Sequence, residues 1–143
     1  ATAQTLNAVL KLLDTEQDVL TNEDFYQMLH TYAKMHTHQG QPWIDEVMHP
    51  ETGEWSSRAV LERWGWPEAK GGVERGRDYN HSTFCDLVLG GLLGIRVEDG
   101  ELSVHPRVPA NWTHFEVDNL WIEKRCFAIV YDKGKITIKE KLS

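Results

Sequence analysis

Residues 43–55, Trp43-Ile44-Asp45-Glu46-Val47-Met48-His49-Pro50-Glu51-Thr52-Gly53-Glu54-Trp55, set carboxylates between aromatic rings. Such a grouping suits hydrolysis of a glycosidic bond: the acid deprotonates a water while the rings stack on the C–H faces of a pyranose. Glu46 is the natural candidate for that base. Its neighbours Trp43, Ile44, Val47 and Met48 are expected to strip water from it, as a general base working near neutrality requires. The plainer reading is that Glu46 caps a turn or pairs with Arg58, since most loop acids do nothing chemical.

Other constellations carry less. His30, His36, His38 and His49 do not fall at zinc-site spacing, and no metal is expected. Gly71-Gly72 and Gly76 lack the preceding strand and the following Lys-Ser or Lys-Thr pair of a phosphate loop. Ser57 and Ser82 have no nucleophile-elbow context, so no cofactor is called for. Of the six tryptophans, Trp64 and Trp121 fit a core or sheet face more economically than a sugar site. Cys85 and Cys126 are expected to be buried thiols rather than a disulfide.

Fifteen Lys plus Arg against 22 Asp plus Glu give a net charge of −7, which speaks against a nucleic-acid partner. The longest run without a charged or strongly polar residue, from Leu87 to Ile95, is far shorter than the roughly 20 apolar residues of a membrane span, so no membrane partner is expected.

The elements that must hold these residues follow from periodicity. Leu6, Val9, Leu10, Leu13 and then Phe25, Met28, Leu29, Tyr32 recur at helical spacing, predicting two amphipathic helices in an antiparallel hairpin. Thr21 before Asn22-Glu23-Asp24 reads as an N-cap with acids in the first turn. Residues 36–55 read as a loop. Ser56 or Ser57 is predicted to cap a third helix through Val60, Leu61 and Trp64, which Gly65 and Pro67 end. After a second irregular stretch, 70–80, a fourth helix is expected from Ser82 or Thr83. In it Gly90 and Gly91 either serve close packing or mark the end. Beyond Gly94 the period falls to two. Asp99-Gly100 signals a hairpin, and the strands after it are expected to form one antiparallel sheet of about five strands. Helices first and strands afterwards is the α+β pattern.

Three pieces together resemble a known group of enzymes. They are Glu46-Val47-Met48-His49-Pro50-Glu51-Thr52-Gly53, Arg75-Gly76-Arg77-Asp78-Tyr79-Asn80-His81-Ser82-Thr83-Phe84-Cys85-Asp86-Leu87, and Gly94-Ile95-Arg96. They are similar to the C-terminal portion of six-hairpin glycosidases, namely mannosylglycerate-hydrolase-like enzymes and glycoside hydrolase family 63, over nearly the whole chain. The resemblance implies an (α/α)₆ toroid whose last hairpins are residues 1–94, followed by a C-terminal antiparallel β region, 95–143. It implies an inverting mechanism, with an Asp acid and a Glu base roughly 6.5–9.5 Å apart. Glu46 matches the base, and the acid belongs to a region upstream. Carried over position by position, Trp43 and Trp55 match sugar-stacking walls, and Arg58 a cation that binds hydroxyls or orients Glu46. Tyr79 and His81 either face the cavity or satisfy buried backbone groups.

The expected partners are a carbohydrate, α-linked oligosaccharide or small glycoside, and the remainder of the toroid. The chain alone is expected to be inactive for want of the acid, and to self-associate through exposed helix faces. A competing reading is a non-catalytic carbohydrate-binding or scaffold module. A third is a degraded family member kept as an interaction surface.

Overall fold

A computed structural model describes residues 2–72 and 75–142. Val73 and Glu74, in the second irregular stretch, lie outside the described residues. The architecture is mixed, helices first and antiparallel strands after, as the α+β reading requires. The chain divides into two units, one up to Arg107 and one from Val108, so the expected boundary at Gly94 falls inside the first.

In the first unit, α1 (Thr2–Leu13) buries Ala3, Leu6 and Val9, and α2 (Asn22–Lys34) buries Phe25, Leu29 and Tyr32. These are the two predicted stripes. Thr21 closes a full capping box with Asp24, its hydroxyl accepting the Asp24 N–H at 3.1 Å while the Asp24 carboxylate takes the Thr21 N–H at 2.8 Å. Hydrogen bonds from the Thr21 side chain, then its backbone, hold the Asp24 carboxyl below the usual carboxylate range. The link between the helices is ordered by Gln17, whose amide oxygen receives the Val19 and Leu20 N–H groups. Asp14 receives hydrogen bonds from both Arg96 and Arg107.

Within the first predicted loop, Thr37–His38 (β1) pairs with Gln41–Pro42 (β2) as a miniature hairpin. Helix α3 (Ser56–Trp64) begins one residue earlier than a serine cap would place it. Trp55 stands at the N-cap without a side-chain cap bond, because Ser57 turns its hydroxyl to Asp45 instead. The buried face of α3 is Arg58 and Leu61, while Val60 and Trp64 face outward at 56% and 79% exposure. Trp64 is therefore no core residue.

Helix α4 (His81–Asp86) runs directly into a π-helical turn, Leu87–Leu92. Gly91 serves packing: a Cβ there would lie 2.8 Å from Leu10 Cδ1 and 3.1 Å from Phe25 Cζ. Cys85, on the outer side of α4, is exposed; only Cys126 is buried, and both are free thiols.

Strands β3 (Ile95–Glu98) and β4 (Glu101–Val104) form the expected hairpin, with Asp99 and Gly100 both at positive φ, as a type I′ turn demands. They do not join the later strands. The His105 and Arg107 N–H groups donate back to the Gly94 and Leu92 carbonyls (both 2.8 Å), and Pro106 and Pro109 cannot donate to a ladder. The expected five-stranded sheet is thus a two-stranded hairpin in the first unit and a separate three-stranded sheet in the second. Gly94 sits at φ +68°, and a Cβ on it would collide with the His105 carbonyl. Gly94→Ala should cost at least the ~1–3 kcal/mol of a strained backbone position. A fall of several degrees in the melting temperature checks this.

The second unit is an antiparallel meander of β5 (His114–Ile122), β6 (Arg125–Asp132) and β7 (Lys135–Lys141), with β6 central. Phe115, Phe127 and Ile129 are buried, and Phe115 stacks on Tyr131 at 5.0 Å. A register shift between Val117 and Leu120 bulges β5. Trp121 lies on the sheet but is 60% exposed, so it is not part of a packed face.

Candidate functional site

The most distinctive sequence motif is first of all a folding device. The His49 N–H donates to the Glu54 carbonyl (2.8 Å), the Gly53 N–H to the His49 carbonyl (3.0 Å), and His49 Nδ1 accepts the Glu51 and Thr52 N–H groups. Met48 bridges to Trp55, and the Ser56 N–H donates to the Val47 carbonyl (2.9 Å). The Pro-x-Thr-Gly turn thereby folds residues 43–48 back along the start of α3.

Asp45 points inward, fully buried, and Glu46 outward, exposed. Asp45 is the centre of the arrangement. Its Oδ2 accepts from Arg58 Nε (3.1 Å) and Trp43 Nε1 (3.2 Å); its Oδ1 accepts from the Glu46 N–H (2.8 Å) and the Ser57 hydroxyl (3.3 Å). Arg58 is 2% exposed and also donates through Nη2 to the Arg75 carbonyl (3.5 Å). The partner of Arg58 is thus Asp45, one residue before the expected Glu46. A charge this deep needs a counter-charge, and the buried Asp45 supplies one.

Glu46 shares a cavity of about 280 Å³ with Ser57, Val60, Trp66, Arg75 and Gly76. Among the described residues its carboxylate has no hydrogen-bond or ion-pair partner. The expected apolar enclosure is not formed by its flanks: Ile44 is buried in the core, and Val47 and Met48 line a different cavity, of about 610 Å³, beside α1 and α2. That larger cavity is walled by apolar, hydroxyl and amide side chains, Thr2, Leu6, Gln27 and Met28 among them, with no titratable group among the described residues that line it.

The remaining expected residues separate. Trp43 is half-buried, with the Arg58 and Arg77 guanidiniums over its ring at 4.9 and 4.6 Å. Trp55 is 4% exposed and donates its indole N–H to the Thr37 carbonyl (3.0 Å); it packs edge-on against Tyr32 in the core and offers no face to a sugar. Arg58, sealed against Asp45, likewise offers no hydroxyl-binding edge to solvent. The turn bearing Tyr79 and His81 docks on the Glu46 loop through the Asp78 N–H to the Ile44 carbonyl (2.9 Å) and Asn80 Nδ2 to the Glu46 carbonyl (3.5 Å). Tyr79 is exposed, while His81 Nδ1–H donates to the Asp78 carbonyl (2.5 Å), the backbone-satisfying role.

Asp45, Trp66 and Arg75 were not singled out by sequence reasoning. Nothing local marks Asp45, whose inward turn depends on Arg58, 13 positions further on. Nothing marks Trp66 or Arg75 either, because the stretch that brings the Arg75 guanidinium over the Trp66 ring (5.2 Å) has no periodicity.

Beneath the site, Tyr32, His36, Trp55 and Phe84 form an aromatic cluster. Burial, followed by the Asp45 charge, pushes the Tyr32 hydroxyl up to about 12. Burial pushes the His36 imidazole down. Folded protein thus keeps His36 neutral where the unfolded chain protonates it, so this contribution to stability is complete above the unfolded value of about 6.5 and is lost progressively as pH falls below it. His36→Phe should lose less melting temperature than the parent between about pH 7.5 and 5.5, read by circular dichroism.

Residues 95–141 match the C-terminal domain of glycosyl hydrolase family 65. A solved structure described as a sialidase is similar at 29% identity with a TM-score of 0.70, over 96% of this chain and 13% of that one. Residues 1–82, more than half of the chain, match the mannosylglycerate hydrolase MGH1-like glycoside hydrolase domain, and the chain belongs to that family. It spans only 13% of the length of the sialidase structure it matches. No curated protein matches it.

Proposed function

We propose that this chain supplies the general-base side of an inverting glycoside hydrolase acting on an α-linked oligosaccharide or small glycoside, with Glu46 deprotonating the attacking water. In this reading residues 1–94 are the last hairpins of an (α/α)₆ toroid and residues 95–143 its C-terminal β region. The general acid comes from another part of the enzyme. The observation that carries it is the opposite fate of two adjacent acids: Asp45 accepts from four donors inside the protein, while Glu46, with no carboxylate partner among the described residues, lies on a cavity wall beside Trp66 and Arg75. Trp43 and Tyr79 border the substrate, His81 holds the backbone of the adjoining turn, and Trp55 and Arg58 act behind the wall.

The exposure of Glu46 fits one side of a cleft whose other side carries the acid. It fits equally the second reading, a sugar-binding module without catalysis, which predicts affinity independent of Glu46. The rate of Glu46→Gln in the intact enzyme separates them, and proton NMR of hydrolysis tests the mechanism. The first-formed sugar from an α-linked substrate should be the β anomer, and an α first product would exclude the inverting mechanism.

A further inference from the structure

We propose that Asp45 is the positioning residue for Glu46, fixing the direction of the base carboxylate and joining the two walls of its cavity; this rests on the reading of Glu46 given above. A buried acid that only anchored α3 would need only Arg58. Asp45 instead turns Oδ1 to the N–H of residue 46 itself and to Ser57, a residue of the Glu46 cavity. The same oxygen meets the facing wall: a Cβ on Gly76, at φ +92°, would lie 2.6 Å from Oδ1, so the 75–78 turn closes directly on this carboxylate. Arg58 continues the connection to the Arg75 carbonyl, and Trp43 takes the fourth position. One side chain therefore ties together the base, the bordering Trp43, the start of α3 and the turn carrying Arg75. Stability does not account for it, since a buried ion pair is at best about neutral against an apolar pair of the same shape. Holding a base in one direction does account for it.

The test uses the intact enzyme and fluoride release from α-mannosyl and α-glucosyl fluoride. Asp45→Asn should lower kcat about 100-fold with KM nearly unchanged, the scale of a misplaced catalytic group. In a Glu46→Gln background the same change should lower kcat by less than about threefold, because residues acting through one group are not additive. Ser57→Ala, which spares the ion pair, should fold normally and lose about tenfold in kcat, the worth of one charge-assisted hydrogen bond. Independently of substrate, exchange of the Glu46 amide should quicken at least about tenfold in Asp45→Asn while the α2 amides stay protected. Equal losses with and without Glu46, or unchanged Glu46 amide exchange, would overturn the proposal. Should Asp45→Asn fail to fold, full activity in Ser57→Ala would overturn it too. Retention of rate by Glu46→Gln alone would instead sink the assignment of the base.

Discussion

Glu46→Gln in the intact enzyme lowers kcat by roughly 10²–10⁴-fold, the usual contribution of a positioned acid or base, and leaves KM close to its parent value. The amide keeps the size and much of the hydrogen bonding of the carboxylate but cannot accept the proton of the attacking water. Folding should be indifferent to the change. Glu46 is exposed, and its carboxylate has no partner among the described residues, so the melting curve should superimpose on the parent's. Steady-state kinetics beside a thermal melt decide the matter. A variant that keeps most of its rate would leave the non-catalytic reading in possession.

The second large effect lies one residue away and is of the opposite kind. Asp45→Ala should cost about 3–5 kcal/mol of stability in the first unit, because it breaks the buried ion pair between Asp45 and the Arg58 guanidinium. It also leaves the Glu46 N–H, the Ser57 hydroxyl and the Trp43 indole N–H without their acceptor. Urea denaturation followed by tryptophan fluorescence measures this. Removing Glu140 from its exposed pair with Arg125 should hardly move the midpoint, because solvent screens that pair. Adjacent acids thus give opposite phenotypes: one variant folds and does not turn over, the other unfolds.

Local physics made much of the fold legible in the sequence. The stripes of α1 and α2, the capping box at Thr21 and the Asp99-Gly100 turn each depend on residues within a few positions of one another. What could not be read is what depends on distant closures. The split between β4 and β5 follows from donors at His105 and Arg107 returning to Gly94 and Leu92. The outward turn of Trp64 follows from Arg58 claiming the inner face of α3. In the site, the motif around Pro50 marks the loop that carries Asp45 and Glu46, while the inward turn of Asp45 depends on residues far along the chain. That turn is fixed by Arg58 and by the close approach of Gly76, 13 and 31 positions further on (58 − 45 and 76 − 45).

Strand β7 borders its sheet, and its backbone there is open to recruitment by any other extended polypeptide. It carries Lys135 and Lys139, with Ile138 exposed between them. Like charges brought into register along that rim repel an identical copy, so fibril growth by stacking is discouraged at the sheet margin where a short meander is most vulnerable.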